Sequence, residues 1–188
     1  VSYVVQWCLE HCQEELNALE RDTASLKKVV PPFPRITYDE AAEILSKNGV
    51  DFNYGSDFGG KDETIISEQF DCPVMIHRWP AGIKAFYMKR DPENEELALG
   101  VDMIAPEGFG EIIGGGQRED DHDILLKRIN EHDLPVEPFQ WYLDLRKYGS
   151  VPHSGFGLGL ERTVGWICGT KHIRETIPYP RTISRIEP

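Results

Sequence analysis

The segment Gly155-Phe156-Gly157-Leu158-Gly159-Leu160-Glu161-Arg162 carries the densest chemistry in the chain. Its glycines alternate with apolar residues at period two, which is strand spacing. On a strand, Gly155, Gly157 and Gly159 leave one face bare, while Phe156, Leu158 and Leu160 fill the other. A bare face lets a flat group lie on the backbone, and a bulge or tight packing contact is the other use of such glycines. Glu161 to Ile167 then follow an apolar helical pattern stopped by Gly169. Arg162 therefore falls in the first turn of a helix, where a cation opposes the helix dipole. An anionic ligand such as phosphate, favoured by both the arginine and the helix N-terminus, resolves that conflict. The spacing is neither Gly-x-Gly-x-x-Gly nor Gly-Lys-Ser/Thr, so the dinucleotide fingerprint and the Walker loop are both out.

A second constellation lies in Gly110-Glu111-Ile112-Ile113-Gly114-Gly115-Gly116-Gln117-Arg118-Glu119. Glu111 stands in an otherwise apolar strand, where an unpaired carboxylate is costly. It either meets an arginine or binds a cation. Asp102, on the preceding strand, offers a second carboxylate, and such a pair with room for water and phosphate suits Mg²⁺. Glu111 and Arg118 are seven apart, which puts them on opposite faces of a regular strand. A bulge or strand end at Gly114–Gly116 is therefore predicted, turning Arg118 into the same cleft. Its planar fork suits a small carboxylate or carboxamide, and pairing with Glu119 or Asp120 is the alternative.

The elements that must hold these residues follow from periodicity and punctuation. Residues 1 to about 21 read as one amphipathic helix that starts without a cap, as a chain beginning mid-domain would. Pro31 to Pro34 is extended. Thr37-x-x-Glu40 is a capping box that opens a helix stopping at Gly49. Residues 51–61 read as a loop, and a short helix follows near 63–70. Strands are expected at 74–79 and 83–89, joined by a Pro80-Ala81-Gly82 turn, and at 97–104 with Leu97, Leu99, Val101 and Met103 inward. Another strand contains Glu111-Ile112-Ile113. Helices near 120–132 and 137–148 precede the glycine strand and the final helix. The order predicts an α+β fold, an antiparallel sheet flanked by helices, over residues 1–188 as one unit.

The bulk properties narrow the possibilities. The 188 residues suffice for one ordinary domain. Mean hydropathy is −0.42, and no apolar run is long enough to span a bilayer, so no membrane partner is expected. No targeting peptide is evident, which with four scattered cysteines implies a cytoplasmic protein. Cys8 and Cys12 flank His11 one helical turn apart, but reduced buried thiols are the expected reading. A net charge of −12 argues against nonspecific nucleic-acid binding by this chain alone.

Gly-x-Gly-x-Gly-x-Glu-Arg resembles the third signature motif of class II aminoacyl-tRNA synthetases. Longer segments resemble the asparaginyl members. These are Pro32 to Ala41, Ile83 to Met88, Gly110 to Gly115, Trp141 to Gly157, and Ile177 to Thr182. The resemblance covers essentially the whole chain. It implies a ligase that uses ATP and Mg²⁺ to activate asparagine and transfers it to tRNA(Asn), in a parent protein that is a homodimer. It implies that Glu111 holds Mg²⁺ with ATP, supported by Asp102, with Ile112 at the ATP site. Gly155 would sit at the substrate, Gly157 and Gly159 under substrate and adenine, and Arg162 on the γ-phosphate. Arg118 would grip the amino-acid side chain, with Tyr87 nearby. Gly116 departs from the serine expected in most relatives, a lost hydrogen bond of about 1 kcal/mol. The first and second family motifs and an anticodon-binding domain are not found in 1–188. The chain then corresponds to the C-terminal part of a catalytic domain, inactive when isolated. Two alternatives stand beside this reading: a synthetase-like asparagine synthetase using aspartate, ATP and ammonia, and a catalytically incomplete paralogue that only binds or associates.

Overall fold

The computed structural model describes residues 1–187. Two helices, α1 (Ser2–His11) and α2 (Gln13–Ala18), replace the single N-terminal helix expected, because the backbone leaves the helical region at Cys12 (φ −117°, ψ 34°). Strand β1 (Arg35–Thr37) follows the proline run, and α3 (Tyr38–Lys47) begins at the expected capping box. There the Glu40 N–H donates to Thr37 Oγ1, and the Thr37 N–H donates to Glu40 Oε2 at 2.7 Å. Gly49 takes φ +76° just past the helix end. Helix α4 (Gly60–Ser67) starts three residues earlier than the sequence suggested.

The sheet runs β1, β2 (Val74–Pro80), β4 (Asn94–Ala105), β5 (Gly110–Gln117), β6 (Ser154–Leu158), with β3 (Arg90–Asp91) beside β4. All pairings are antiparallel except β1 with β2. Two helices, α5 (His122–Glu131) and α6 (Gln140–Lys147), intervene before β6, and α7 (Leu160–Cys168) follows it. The fold is thus the expected α+β arrangement, with β1, its parallel pairing and β3 as additions.

Three expectations need correction. Residues 83–89 are not a strand: a 3-10 turn covers Ala81–Ile83, and only Met88 forms an isolated bridge, to Arg118. Their apolar side chains are directed into tertiary contacts instead, and β2 pairs with β4. On β4 the alternation is also not the predicted one. Ala98, Gly100, Asp102 and Ile104 are buried, Leu97, Leu99 and Val101 only half-buried, and Met103 is buried on the opposite face. Phe156 is 72% and Leu158 37% exposed, so this face of β6 is not packed, and Leu160, 64% exposed, lies in α7 and not in the strand.

Register assigns residues to the two faces of the sheet. One face carries Ile36, Ile76, Asp102, Gly114 and Gly157 across β1, β2, β4, β5 and β6. Its β1–β2 side is roofed by α3 and α4, whose Tyr38, Ala41, Leu45 and Ile66 pack with Val74, Ile76, Trp79 and Ile104. The other face carries Met75, Met103 and Ile113, covered by Val5, Leu26, Val29 and Trp166 from α1, the following turn and α7. A third cluster joins α5 and α6 through Leu125, Ile129 and Leu143, against Phe86 and Tyr87.

Candidate functional site

On the β4–β6 half of the first face α4 reaches only the Gly110–Glu111 end through Glu63, and four glycines floor the rest. Gly114 pairs with Gly157 and Gly116 with Gly155, all beside Asp102 and Gly100 of β4. A Cβ on Gly157 would meet nothing within 4 Å, so this position is open to a ligand. Gly159 is not in the strand; it is the residue that caps α7.

The break predicted at Gly114–Gly116 lies elsewhere. Strand β5 runs unbroken to Gln117, and its bulge is at Ile112, where Glu111 pairs with Ile104 and Ile113 with Met103. One inserted residue reverses the parity of everything upstream. Ile112 enters the core at 1% exposure. Glu111 then shares a face with Gly114, and an even step of four carries that face on to Arg118. The bulge thus brings Glu111 and Arg118 to one cleft, for the reason the sequence required but two residues earlier.

Glu111 makes no ion pair among the described residues. Burial pushes its carboxyl above the ordinary range, and the neighbouring Asp102 pushes it further. Asp102 is raised mainly by burial, opposed by Lys84, whose Nζ lies 2.6 Å from Asp102 Oδ2. Lys84 in turn sits 3.7 Å over the Trp79 ring. Two acidic groups with one lysine between them leave a site that attracts a cation. No group of three or more His, Cys, Asp or Glu among the described residues is arranged around a metal. Two carboxylates beside an open floor fit Mg²⁺, which keeps water and takes phosphate oxygens for its other ligands.

Glu63 of α4 was missed by sequence reasoning and belongs to this cleft. Its Oε2 accepts from the Glu111 N–H at 3.1 Å, while Arg162 Nη1 donates to the Glu111 carbonyl, also at 3.1 Å. The two side chains grip the Glu111 peptide from both sides. Burial raises the Glu63 carboxyl, and that N–H and Arg162 act against the shift. Gly110, at φ +73°, leaves the room that Glu63 occupies. Glu63 lies 48 residues from Glu111, and nothing in its local pattern marks it.

Arg118 takes neither acidic partner offered to it. Its Nη1 donates to Gly116 O at 3.1 Å and approaches Met88 Sδ at 3.2 Å, and its Cζ lies 5.1 Å from the Tyr87 ring centroid. Lys89 takes Glu119 and Asp120 instead. The backbone fixes this corner: the Glu119 N–H donates to Tyr87 O and the Arg118 N–H to His153 O, both at 2.9 Å. Buried Arg146 adds a bond from Nε to Glu119 O at 3.0 Å. Gly155 leaves room for Arg118, since a Cβ there would lie 3.1 Å from Nη2. Gly116 has φ +157°, and a Cβ would meet Leu99 O at 2.6 Å and Met88 Sδ at 2.8 Å. With this backbone position 116 takes only glycine.

The cleft is therefore a glycine floor with a carboxylate pair and Arg162 at one end, and Arg118 with Tyr87 at the other. Residues 1–183 match the model of the family described as tRNA synthetases class II (D, K and N). The chain belongs to that family. It is 60% identical over 188 residues to the asparagine–tRNA ligase of Pelotomaculum thermopropionicum and 59% identical to that of Desulforamulus reducens. In each case it spans 44% of the relative's length. The asparaginyl-tRNA synthetase of Pyrococcus horikoshii, solved with asparaginyl-adenylate, superposes with a TM-score of 0.97 at 52% identity, over 100% of this chain and 43% of that one. The aspartyl-tRNA synthetase of Entamoeba histolytica superposes less closely, with a TM-score of 0.79 at 30% identity over 85% of this chain and 34% of that one. Within this family member, no helix among the described residues is long and apolar enough to cross a membrane.

Proposed function

We propose that this chain forms the ATP, Mg²⁺ and amino-acid side of an asparaginyl-tRNA synthetase. The protein activates asparagine with ATP and transfers it to tRNA(Asn), in the cytoplasm and as a homodimer. Residues 1–188 are the C-terminal portion of its catalytic domain. The first and second family motifs, which 1–188 does not contain, supply the dimer contact and the arginine for the α-phosphate.

The observation that carries the reading is the Ile112 bulge, which puts Glu111 and Arg118 at opposite ends of one glycine floor. Greater similarity to asparaginyl than to aspartyl enzymes supports asparagine as the amino acid. In the reaction the asparagine carboxylate attacks the α-phosphorus of ATP and expels pyrophosphate, and a tRNA hydroxyl then takes the acyl group from the adenylate with release of AMP. No protein nucleophile takes part. Arg118 orients the carboxamide, Gly155 and Gly157 let the adenylate lie on the strand, and Arg162 holds the γ-phosphate. Glu111, with Asp102, would hold Mg²⁺, which when bound would supply positive charge against that developing on the phosphates. Glu63 keeps Glu111 and Arg162 in register.

Pyrophosphate exchange with asparagine and with aspartate, run on the full-length protein as wild type and as Arg118→Ala, tests the assignment. Asparagine-dependent exchange that falls at least a hundredfold in the variant, with ATP binding retained, is the expected result. Exchange with aspartate instead, coupled to ammonia-dependent formation of asparagine, would replace this reading with an asparagine synthetase. Unchanged asparagine activation in the variant would remove Arg118 from the site.

A further inference from the structure

A cavity of about 340 Å³ opens between β3 and α5, and Lys89, Arg90, Glu119, Lys127, Arg128 and Glu131 are part of its lining. The reaction as written uses none of them. The last turn of α5 includes Arg128, and a helix C-terminus favours a cation there. That preference needs only a charge at the surface and does not account for burying this side chain to 4% exposure. A guanidinium carries five N–H donors, and burying it is costly unless they are matched. Among the described residues, Nε of Arg128 and Nε of Arg90 are both buried without a hydrogen-bond partner. Such orphaned donors call for an explanation, and a bound ion is one.

The other acids that line the cavity are committed elsewhere. Glu119 Oε1 accepts from the N–H groups of Asp120 and Asp121 and from Lys89 Nζ. Asp91 Oδ2 accepts from Arg78 Nε at 2.9 Å, and its Oδ1 accepts from the Glu93 N–H at 3.0 Å. At the rim, exposed Glu95 offsets exposed Lys127, which reaches Glu131 Oε1 only at 3.7 Å. Arg90 and Arg128 are left facing one carboxylate. Glu131 Oε2 accepts from Arg90 Nη2 at 3.3 Å and from Arg128 Nη1 at 3.4 Å. Both exceed the roughly 2.7–2.9 Å of a strong charge-assisted bond. One carboxylate thus serves two guanidiniums loosely, and one positive charge stays unbalanced.

We propose that this cavity binds a phosphate dianion, with Arg90 and Arg128 as its clamp and Glu131 as the group it displaces. Two charges on one tetrahedral ligand balance both guanidiniums, and its additional oxygens give the orphaned Nε donors acceptors. The planar fork of arginine suits such an oxyanion as a lysine does not. The Glu131 side chain is 36% exposed and ends α5, so it can turn into solvent. The cavity is larger than a phosphate, and Pro92 and Ile124 give it an apolar side, so a small phosphomonoester fits as well as free phosphate. None of its lining residues belongs to the glycine floor, and the site stands whether or not the functional reading does.

The test is titration of the full-length protein with inorganic phosphate and with glycerol 3-phosphate, read by phosphorus NMR and by melting temperature. Sodium chloride at equal ionic strength is the control. Saturable binding is expected, with a rise in melting temperature that chloride does not give. Arg90→Gln should weaken binding about ten- to hundred-fold. Arg90→Lys, which keeps the charge but loses the fork, should weaken it as well. Glu131→Gln should act in the opposite direction and tighten binding about two- to fivefold, because the competing carboxylate charge is gone. All three differences should persist in an Arg162→Ala background, which removes the phosphate contact proposed for ATP. Loss of binding in that background would place the phosphate in the ATP seat and overturn the proposal. So would binding no stronger than that of chloride, or a Glu131→Gln variant that melts lower and binds no better, the mark of a purely structural ion pair. Tighter binding of the ester makes the occupant a small phosphomonoester, and equal or weaker binding makes it free phosphate; either upholds the site.

Discussion

Two halves of one sheet face do opposite work. On the β1–β2 side, Val74, Ile76 and Trp79 disappear beneath α3 and α4, with Tyr38 stacked on Phe58 at 4.9 Å. On the β4–β6 side the same face offers glycines and two acidic groups with raised pKa, with α4 reaching it at Glu63. The first half buries apolar area and stabilises the fold. The second half gives up that stabilisation and keeps carboxylates that a ligand, not the protein, must neutralise. Trp79 and Lys84 join the halves, because the lysine that pairs with Asp102 rests on the buried indole.

This contrast makes graded predictions. Trp79→Ala should cost about 3–5 kcal/mol in denaturant unfolding, since the side chain is 2% exposed and its Nε1 donates to Ile76 O. An intact stability there would break the division between the halves. Glu111→Gln should lower pyrophosphate exchange about a hundredfold, yet raise the melting temperature of the ligand-free protein. The sign follows from burial. The folded pKa of Glu111 lies above 4.5, so the folded state holds the proton more tightly than the unfolded state. The wild type should therefore gain stability as pH falls from above the raised pKa toward 4.5, and the glutamine variant should lose its share of that gain.

The glycines allow a finer comparison. Gly115→Ala places a methyl 2.7 Å from Gly155 O and from Phe156 Cβ, and should destabilise by about 1–3 kcal/mol. Gly157→Ala meets nothing and should leave stability nearly unchanged while impairing exchange, because the methyl stands where the ligand lies. Equal stability losses at the two positions would show that the floor is packed and not open. The smallest effect is expected at Thr37→Ala, about 1 kcal/mol from the lost cap, with activity unchanged.

Local signals were readable in the sequence where local chemistry decides the outcome. The capping box at Thr37, the glycine strand, the arginine in the first turn of α7 and the strands around Asp102 and Glu111 all follow from short-range pattern. What was hidden depends on partners distant in the chain. Residues 83–89 alternate like a strand, but Lys84 is drawn to Asp102 and Phe86 to the aromatic cluster, and those contacts override the pattern. The bulge was required by the seven-residue spacing, yet its place at Ile112 was set by a core that takes that side chain. Glu63 carries no mark of its own, because its role is a hydrogen bond to a peptide 48 residues away.

The central claim is that one open glycine floor joins the carboxylate–Arg162 end to the Arg118 end. Calorimetric binding of a non-hydrolysable asparaginyl-adenylate analogue tests it most directly, because that ligand should lie on the glycine floor between the two ends. Wild type should bind one equivalent, and Gly157→Val and Arg118→Ala should each weaken binding at least tenfold, with melting temperatures held near wild type. Undiminished binding by both variants would mean that the adenylate lies elsewhere and would contradict the account.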